Sequence, residues 1–375
     1  MGENNRNKPC WCGSGKKYKK CHLNQEEEQS LARKDLESHS KHLKSKKACS
    51  VSNIYPSACS TKIVSAHTIS KSGSLKEISE NGHIMGTKPS LSGLIKNNGK
   101  LSLEKVGINQ ASTFTGFCSV HDKEIFAPLE DEPVTLSDKQ LFLLAYRGMC
   151  RELFLKEQNK DTANLLRQAD KGQDVITQGF VQSYASSYDK GVDLALRDLK
   201  KIKIAMDSIL KNSDFSKLSH CIFEFDSVPK ILVSAMITPE VDFHGNQLQK
   251  LGFQEESYDY IFFNCISYDG HGCFVFSWLT DSDRFCSKLV NSLLTYTDEK
   301  ISDALVRFCY SFSENTWASP SWWDSLSESA KDQIAERLMH GTPMMVHHID
   351  CLKDDGHNFN AFKIHKRELR VSQQT

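Results

Sequence analysis

No run of 18 consecutive apolar residues occurs in this sequence, so we expect no helix that crosses a membrane. The first residues, MGENNRNKPCWC, have no apolar segment of the kind found in secretory signals. They also lack the Ser or Thr that N-myristoylation requires at the sixth position. An excess of charge is missing too: 47 Lys and Arg balance 47 Asp and Glu, so the whole molecule carries no strong field. These absences predict a cytoplasmic protein.

Several common catalytic motifs are absent as well. The sequence has no GxxxxGK[ST] phosphate-binding loop, no nucleophile elbow, no dinucleotide-binding glycine pattern and no protein-kinase set. Its 375 residues are enough for two or three domains. The sequence therefore leaves open whether the protein is an enzyme.

Cysteine, in contrast, is abundant, with 13 residues. Without an export signal we do not expect a disulfide scaffold, since the cytosol keeps thiols reduced. Seven cysteines lie scattered in apolar or amphipathic surroundings and are predicted to be small buried hydrophobic side chains. These seven are Cys150, Cys221, Cys265, Cys273, Cys286, Cys309 and Cys351. The other six precede residue 120 and fall into two groups.

The first group lies in the stretch CWCGSGKKYKKCH, residues 10–22. Its thiol and imidazole side chains are Cys10, Cys12, Cys21 and His22. The Gly-Ser-Gly segment at residues 13–15 allows the chain to reverse sharply, so that the two ends of the stretch can meet. Three thiolates and one imidazole suit a closed, tetrahedral, structural Zn²⁺ site. In so short a segment, metal binding would supply most of the folding free energy, about 10 kcal/mol.

The same stretch resembles the SEC-C motif, whose pattern is C-x-C-x-S-G, a lysine-rich spacer, and then C-H or C-C. That motif occurs at the C-terminal tail of the SecA translocation ATPase, where it docks on protein partners, and in many otherwise unrelated bacterial proteins. The resemblance implies that the four side chains bind zinc and that the spacer faces a partner. The implied partner-binding residues are Lys16, Lys17, Tyr18, Lys19 and Lys20, with Trp11 as a further apolar contact. The alternative is that these lysines are only solvated and that the aromatic rings pack over the zinc.

The following residues, 26–48, are charged throughout and predict a solvated helical linker or a flexible arm. Residues 6–47 contain 12 Lys or Arg and 5 Asp or Glu, so this part is locally basic. A basic arm could contact the phosphates of a nucleic acid, or it could be a soluble tether only.

A second group is spread over residues 49–130. It comprises Cys49, Cys59, Cys118 and His121, of which the last two form a C-x-x-H half-site. This region has few apolar residues and is rich in Ser, Gly and Lys, so a metal that joins its two ends would stabilise it. The sequence therefore predicts a second Zn²⁺ ion here, although the first pair lacks the usual short spacing.

Residues 49–126 also weakly resemble the treble clef of HNH nucleases. The segment AHTISK, residues 66–71, is similar to the first strand of that family, and GFCSVHDKEIF stands where the family has L-C-x-x-C-H. The resemblance implies that His67 is a general base and that His83 or Asp122 is a weak metal ligand. A metal-dependent nuclease is therefore the alternative function, and host defence is a role that it could serve.

The sequence departs from the HNH pattern in two ways. Ala66 occupies a position where an acidic residue or a second histidine is usual, and no clear asparagine and second metal-binding histidine follow, although Asn81 and His83 are nearby. Three alternatives stay open: a structural zinc site without catalysis, an active nuclease, and ordinary buried cysteines and histidines.

Residues 131–375 predict an α+β body of helices with an antiparallel sheet. Apolar residues at i, i+3 and i+4 predict helices up to residue 212, with one helix ending at Asp189 and the next starting at Lys190. Alternation with period two predicts strands between residues 220 and 280, and helices follow. We expect the last few residues to be frayed.

Two hairpin turns are predicted, at Asn97-Asn98-Gly99 and at Asp269-Gly270-His271-Gly272. Three tryptophans, Trp317, Trp322 and Trp323, are predicted to seal the helical region against the sheet.

The predicted domain organisation is a zinc knuckle (1–25), a charged linker (26–48), a second zinc or treble-clef region (49–130) and the α+β body (131–375). The first functional hypothesis is a zinc-binding bacterial protein whose SEC-C motif docks on a protein or nucleoprotein partner. The nuclease is the second hypothesis.

Overall fold

The computed structural model describes residues 6–87, 101–252, 256–340 and 349–372. The chain divides into two compact units. One unit comprises Met1–Lys47 and Leu153–Lys200, and the other comprises Ala48–Glu152 and Lys201–Thr375. The domain boundaries that we expect from the sequence remain predictions.

Ten α-helices lie in the described residues. They are α1 (Arg33–Ser45), α2 (Lys76–Ile78), α3 (Ser119–Glu130), α4 (Asp138–Asn159), α5 (Thr162–Arg167), α6 (Val175–Asn212), α7 (Asp283–Leu294), α8 (Asp298–Phe312), α9 (Pro320–Ser325) and α10 (Glu328–His340). A wide helical turn at Lys71–Leu75 leads into α2.

Ten strands also lie in the described part of the chain. They are β1 (Ile63–His67), β2 (His83–Thr87), β3 (Leu103–Gly107), β4 (Thr113–Cys118), β5 (Leu218–Phe225), β6 (Ile231–Ile237), β7 (Ile261–Tyr268), β8 (His271–Leu279), β9 (Thr316–Ala318) and β10 (Ile364–Arg370). Strands β1 and β4 form a two-stranded sheet, and the other eight form one sheet in the order β10-β5-β8-β7-β6-β9-β2-β3. The pairs are antiparallel. The α+β fold class is therefore confirmed.

The central strands β5, β7 and β8 are buried on both faces, because each alternates two sets of apolar side chains. In β5, Phe223 and Phe225 contribute to a core that also contains residues of α7, α8 and α10. The intervening Ile222 belongs to a smaller core with Leu141 and Leu144 of α4. The seven scattered cysteines are all buried, as predicted.

Strands β7 and β8 are joined by the tight turn expected at this position. Asp269 and Gly270 both have positive φ angles, 49° and 78°, and Tyr268 pairs directly with His271. This is the two-residue geometry that matches the twist of paired strands. The turn predicted at Asn97-Asn98-Gly99 lies outside the described residues, while the strands that flank it, β2 and β3, pair antiparallel.

The predicted helix break at residues 189 and 190 is wrong, because α6 runs through this point without interruption. A glycine such as Gly191 inside a helix costs only about 1 kcal/mol relative to alanine, which does not end a helix of 38 residues. The break lies earlier instead. Gly172 has a φ of +70°, and the Asp174 carboxylate then accepts hydrogen bonds from the backbone of Ile176 and Thr177 at the start of α6.

The C-terminal segment contains a strand that the sequence did not predict: β10 pairs with β5 at the edge of the large sheet. The last few residues, for which we expect fraying, lie largely outside the described part of the chain, which ends at residue 372. The sequence IHKRELR is mostly charged, and such residues suit an edge strand that has water on one side. Of the three tryptophans, Trp317 and Trp322 are buried in the larger core and Trp323 packs against it, as predicted.

The treble-clef-like region contributes to both sheets. Strand β4 pairs with β1 and leads directly into α3. Strands β2 and β3 lie between β1 and β4 in sequence, but they join the large sheet through β9. Residues on both sides of position 130 therefore share one sheet. No helix among the described residues is long and apolar enough to cross a membrane.

Candidate metal centres

The backbone of the N-terminal knuckle folds back on itself through a small set of hydrogen bonds. The Cys10 N–H donates to the Lys16 carbonyl at 2.7 Å, and the Tyr18 N–H donates to the Lys8 carbonyl at 2.9 Å. Gly13 and Gly15, at the reversal, have φ angles of +74° and +72°, which glycine adopts without strain. This loop brings the first two cysteines next to the residues that follow Tyr18.

The four ligand side chains of the first group converge. The Nδ1 atom of His22 lies 3.2 Å from the Sγ atoms of both Cys10 and Cys21. The Sγ atoms of Cys12 and Cys21 are 3.5 Å apart. All four ligand atoms lie within 4.8 Å of one another. A tetrahedral ion bonded to thiolates at about 2.3 Å would separate the sulfurs by about 3.8 Å, so the donor set fits a metal ion such as zinc.

The thiols of the first group differ in acidity. Burial raises the pKa of Cys10 to about 12, so without a cation this side chain is a neutral thiol at pH 7. Burial also acts to raise the pKa of Cys12, but hydrogen bonds from Ser14 and from the neighbouring thiols outweigh it and lower that pKa. Metal binding would therefore displace at least the Cys10 proton.

The far side of the His22 ring faces a carboxylate that the sequence did not indicate. The Nε2 atom of His22 donates to Oδ2 of Asp170 at 2.8 Å, and Asp170 is fully buried. The amide groups of Gln25 and Gln182 donate to the same carboxylate. Asp170 is 148 residues from His22, so no local sequence pattern could reveal this contact.

The spacer between the ligand pairs is largely open to solvent. The side chains of Lys16, Lys17, Lys19 and Lys20 are exposed, and Tyr18 is half-buried. Trp11 is 45% exposed, although its ring centroid lies 4.4 Å from that of His22. Cations and one aromatic surface are thus displayed around the first group.

The second group also converges. The Nδ1 atom of His121 lies 3.3 Å from Sγ of Cys49, and the Sγ atoms of Cys59 and Cys118 are 3.9 Å apart. The four ligand atoms lie within 4.8 Å of one another. Cys118 ends β4 and His121 lies in the first turn of α3, which places the C-x-x-H half-site at a strand–helix junction.

Local hydrogen bonds place the other two ligands of the second group. The Ser50 N–H donates to the Gly116 carbonyl at 2.8 Å, which holds Cys49 beside β4. The hydroxyl groups of Ser60 and Ser119 are 3.2 Å apart, which holds Cys59 beside the start of α3.

The pKa values of Cys59 and Cys118 in the second group are shifted in opposite directions. Burial and the neighbouring thiols raise the pKa of Cys59 to about 11. Burial also acts to raise the pKa of Cys118, but hydrogen bonds from the His121 backbone and from Ser60 outweigh it and lower that pKa to about 6.

The candidate nuclease residues are not members of either group. His67 ends β1 and pairs with Thr113, whereas Cys118 pairs with Ile63 at the other end of the strand. The Nε2 atom of His67 donates to the Ile108 carbonyl at 3.1 Å, and burial lowers the pKa of His67.

The other two candidates are His83 and Asp122. His83 is exposed and its Nδ1 atom contacts the Asn81 carbonyl at 2.8 Å, while Asp122 is half-buried and burial raises its pKa. In the described residues, the two Cys/His groups are the sets of three or more ligands with metal-like spacing, and His67, His83 and Asp122 belong to neither.

Comparison with known proteins gives a family match at the N-terminus of the chain. No curated protein and no solved structure matches the chain. The family model of the SEC-C motif matches residues 6–24, the stretch that holds all four side chains of the first group. The predicted resemblance is confirmed over those residues: this part of the chain is similar to the SEC-C motif and carries a matching candidate metal site.

Proposed function

We propose that the chain is a bacterial zinc-binding protein with two structural zinc sites, and that its SEC-C motif is a docking module for a protein partner. The observation that carries the proposal is the complete set of three thiols and one imidazole within the matched residues 6–24. Soft sulfur and imidazole donors favour zinc over Mg²⁺ or Ca²⁺, which take oxygen ligands. Four protein ligands leave no open position, which is typical of a structural site.

The docking role is supported by what surrounds the first group. Four exposed lysines lie in one short spacer, and Trp11 offers an exposed aromatic face beside them. Such a surface fits an acidic protein patch that also has an apolar contact, because aromatic residues contribute desolvated contact area and lysines steer the encounter. A nucleoprotein partner would use the same lysines on phosphate groups.

A charge-reversal experiment tests the docking surface. Replacement of Lys16, Lys17, Lys19 and Lys20 by Glu should leave the bound zinc in place, since the lysines provide no ligand atom. It should weaken partner binding, which is measured by pull-down against the isolated partner at 50 and 300 mM salt. Matched exposed lysines serve as a control with the same change in net charge: Lys123, Lys139, Lys200 and Lys211. Equal binding of the partner by both variants would contradict the docking role. Binding to nucleic acid alone would favour the hypothesis of a nucleoprotein partner.

The nuclease is a second candidate because charged groups surround His67. The charges of Glu130 and Arg147 act on the imidazole of His67. The Arg147 guanidinium contacts the Glu130 carboxylate at 2.7 Å. His67 ends β1, which pairs with β4, and Glu130 ends α3. A one-metal nuclease also needs ligands for its cation next to the base, and His67 belongs to neither group of ligands in the described residues. Cleavage of plasmid DNA with Mg²⁺ or Mn²⁺ that is lost in His67→Ala but kept in His83→Ala would establish this activity. No cleavage by the wild-type protein would end it.

A further inference from the structure

The buried carboxylate of Asp170 contacts the imidazole of the first group. It is fully buried, and its two oxygens accept from three donors: the Nε2 atom of His22 and the side-chain amides of Gln25 and Gln182. An isolated carboxylate in such a place would be strongly destabilising, so its retention requires partners of this kind. The second ring nitrogen of His22, Nδ1, faces the thiols of Cys10 and Cys21.

This arrangement determines the tautomer of His22. A carboxylate can only accept here, so Nε2 carries the hydrogen and Nδ1 presents its lone pair to Cys10 and Cys21. A hydrogen bond from the non-ligating nitrogen to a carboxylate orients an imidazole ligand and raises its basicity. We propose that Asp170 is a positioning residue for metal binding at the first group, and that it couples metal occupancy to the packing of residues 162–185. The inference rests on the proposed function only in that the first group must bind a metal.

The coupling to the helices follows from the partners of Asp170. Gln182 lies in α6 and also donates to the Arg167 carbonyl at the end of α5, at 2.8 Å. The backbone N–H of Gly172 donates to the Gln25 carbonyl at 2.9 Å, and a Cβ atom at Gly172 would lie 2.7 Å from the Glu28 carbonyl oxygen. The backbone of the knuckle is therefore in direct contact with the backbone of the segment that joins α5 to α6, within the first unit. To the extent that the knuckle and these helices unfold together, a ligand that binds only the folded knuckle also stabilises the helices.

The second group provides an internal comparison. The Nε2 atom of His121 is buried and has no hydrogen-bond partner among the residues that the structure describes. The imidazole of the second group thus lacks the carboxylate that His22 has. We expect the first group to retain its metal at chelator concentrations that empty the second.

The first experiment measures metal release from the full-length protein with a chromophoric chelator. Metal release from the first group is identified as the kinetic phase that the wild-type protein shows and Cys12→Ser does not. Asp170→Asn should weaken metal binding in that phase about 10- to 100-fold and should shift the d–d absorption of the Co²⁺-loaded site. The matched control is Asp198→Asn, which neutralises another buried carboxylate of the same unit that is paired with Arg197. It should leave both readouts unchanged.

The second experiment needs no variant and therefore holds even if Asp170→Asn does not fold. Hydrogen exchange of peptides from residues 162–185 should rise at least tenfold when the chelator concentration is raised from the level that empties the second group to the level that empties the first. Peptides from β5 to β8 should show no further change over the same step. An unchanged release phase in a folded Asp170→Asn protein overturns the proposal, and so does unchanged exchange after the metal has left. If the wild-type protein and Cys12→Ser released the same amount of metal, the first group would bind no metal. That result would overturn the proposed function instead.

Discussion

The Nδ1 atom of His121 lies 3.3 Å from the Sγ atom of Cys49, although 72 residues separate the two side chains in sequence. The contact is prepared by backbone pairing, because the Ala48 and Ser50 N–H groups donate to the carbonyls of Thr115 and Gly116 in β4. His121 then follows on the first turn of α3. The fold thus brings the ligands of the second group together through hydrogen bonds that do not involve a metal.

Metal content is the most direct test of both groups. Elemental analysis of the purified wild-type protein should give two zinc ions per chain, since each group offers four closed ligands. Cys12→Ser and Cys118→Ser should each give one. A wild-type value of one, with none in Cys12→Ser, would show that the second group binds no metal.

Loss of the second metal should destabilise the second unit far more than loss of the first. A metal at Cys49, Cys59, Cys118 and His121 closes a loop of about 60 residues, and cross-links of that size contribute on the order of 4 kcal/mol. Cys118→Ser should therefore lower the free energy of unfolding of this unit by several kcal/mol in urea denaturation. Cys12→Ser, whose ligand lies in the first unit, is the control and should leave this transition in place. Chelator should reduce the wild-type protein to the stability of Cys118→Ser, and a wild type that chelator does not affect would contradict the role of the metal.

The junction between β2 and β9 can be tested at Gly86. A Cβ atom at this position would lie 2.3 Å from the indole ring of Trp317, its partner in the neighbouring strand. Gly86→Ala should therefore destabilise the second unit by about 1–3 kcal/mol through overpacking. The matched control is Gly107→Ala in β3, where a Cβ atom would meet nothing within 4 Å. Equal denaturation midpoints for both variants would mean that β2 does not pack beside Trp317.

Stability should fall in mild acid because of His220. This side chain is 1% exposed, and burial lowers its pKa to about 4, while Asp138 acts to raise it and Arg370 to lower it. The unfolded chain takes up a proton near pH 6.5 and the folded chain only near pH 4. The free energy of unfolding therefore decreases as the pH falls through this window, by up to about 3 kcal/mol.

A variant that does not titrate isolates this effect. His220→Gln should remove most of the difference in unfolding free energy between pH 7 and pH 4.5, measured by urea denaturation at both values. His365→Gln is a control in the same sheet, since His365 in β10 is exposed. An equal pH dependence in wild type and His220→Gln would show that another group is responsible.

Local patterns in the sequence determined a large part of this protein. The ligand types of the first group lie within 13 residues, with glycines at the reversal, so composition and spacing were enough to name them. Period-two alternation predicted β5, β6, β7 and β8, because successive side chains of a strand point to opposite faces of the sheet. Of these strands, β5, β7 and β8 present apolar side chains to both cores. Burial of the seven scattered cysteines followed from their apolar neighbours.

Tertiary structure decided what depends on residues that are distant in sequence. Asp170 reaches His22 across 148 residues, and β10 is a strand only because β5 offers it an unpaired edge. The insertion of β2 and β3 into the large sheet likewise depends on β9, more than 200 residues later. Such contacts leave no periodic or local signal, since a buried carboxylate or an edge strand is stabilised by partners that the chain supplies only after it has folded.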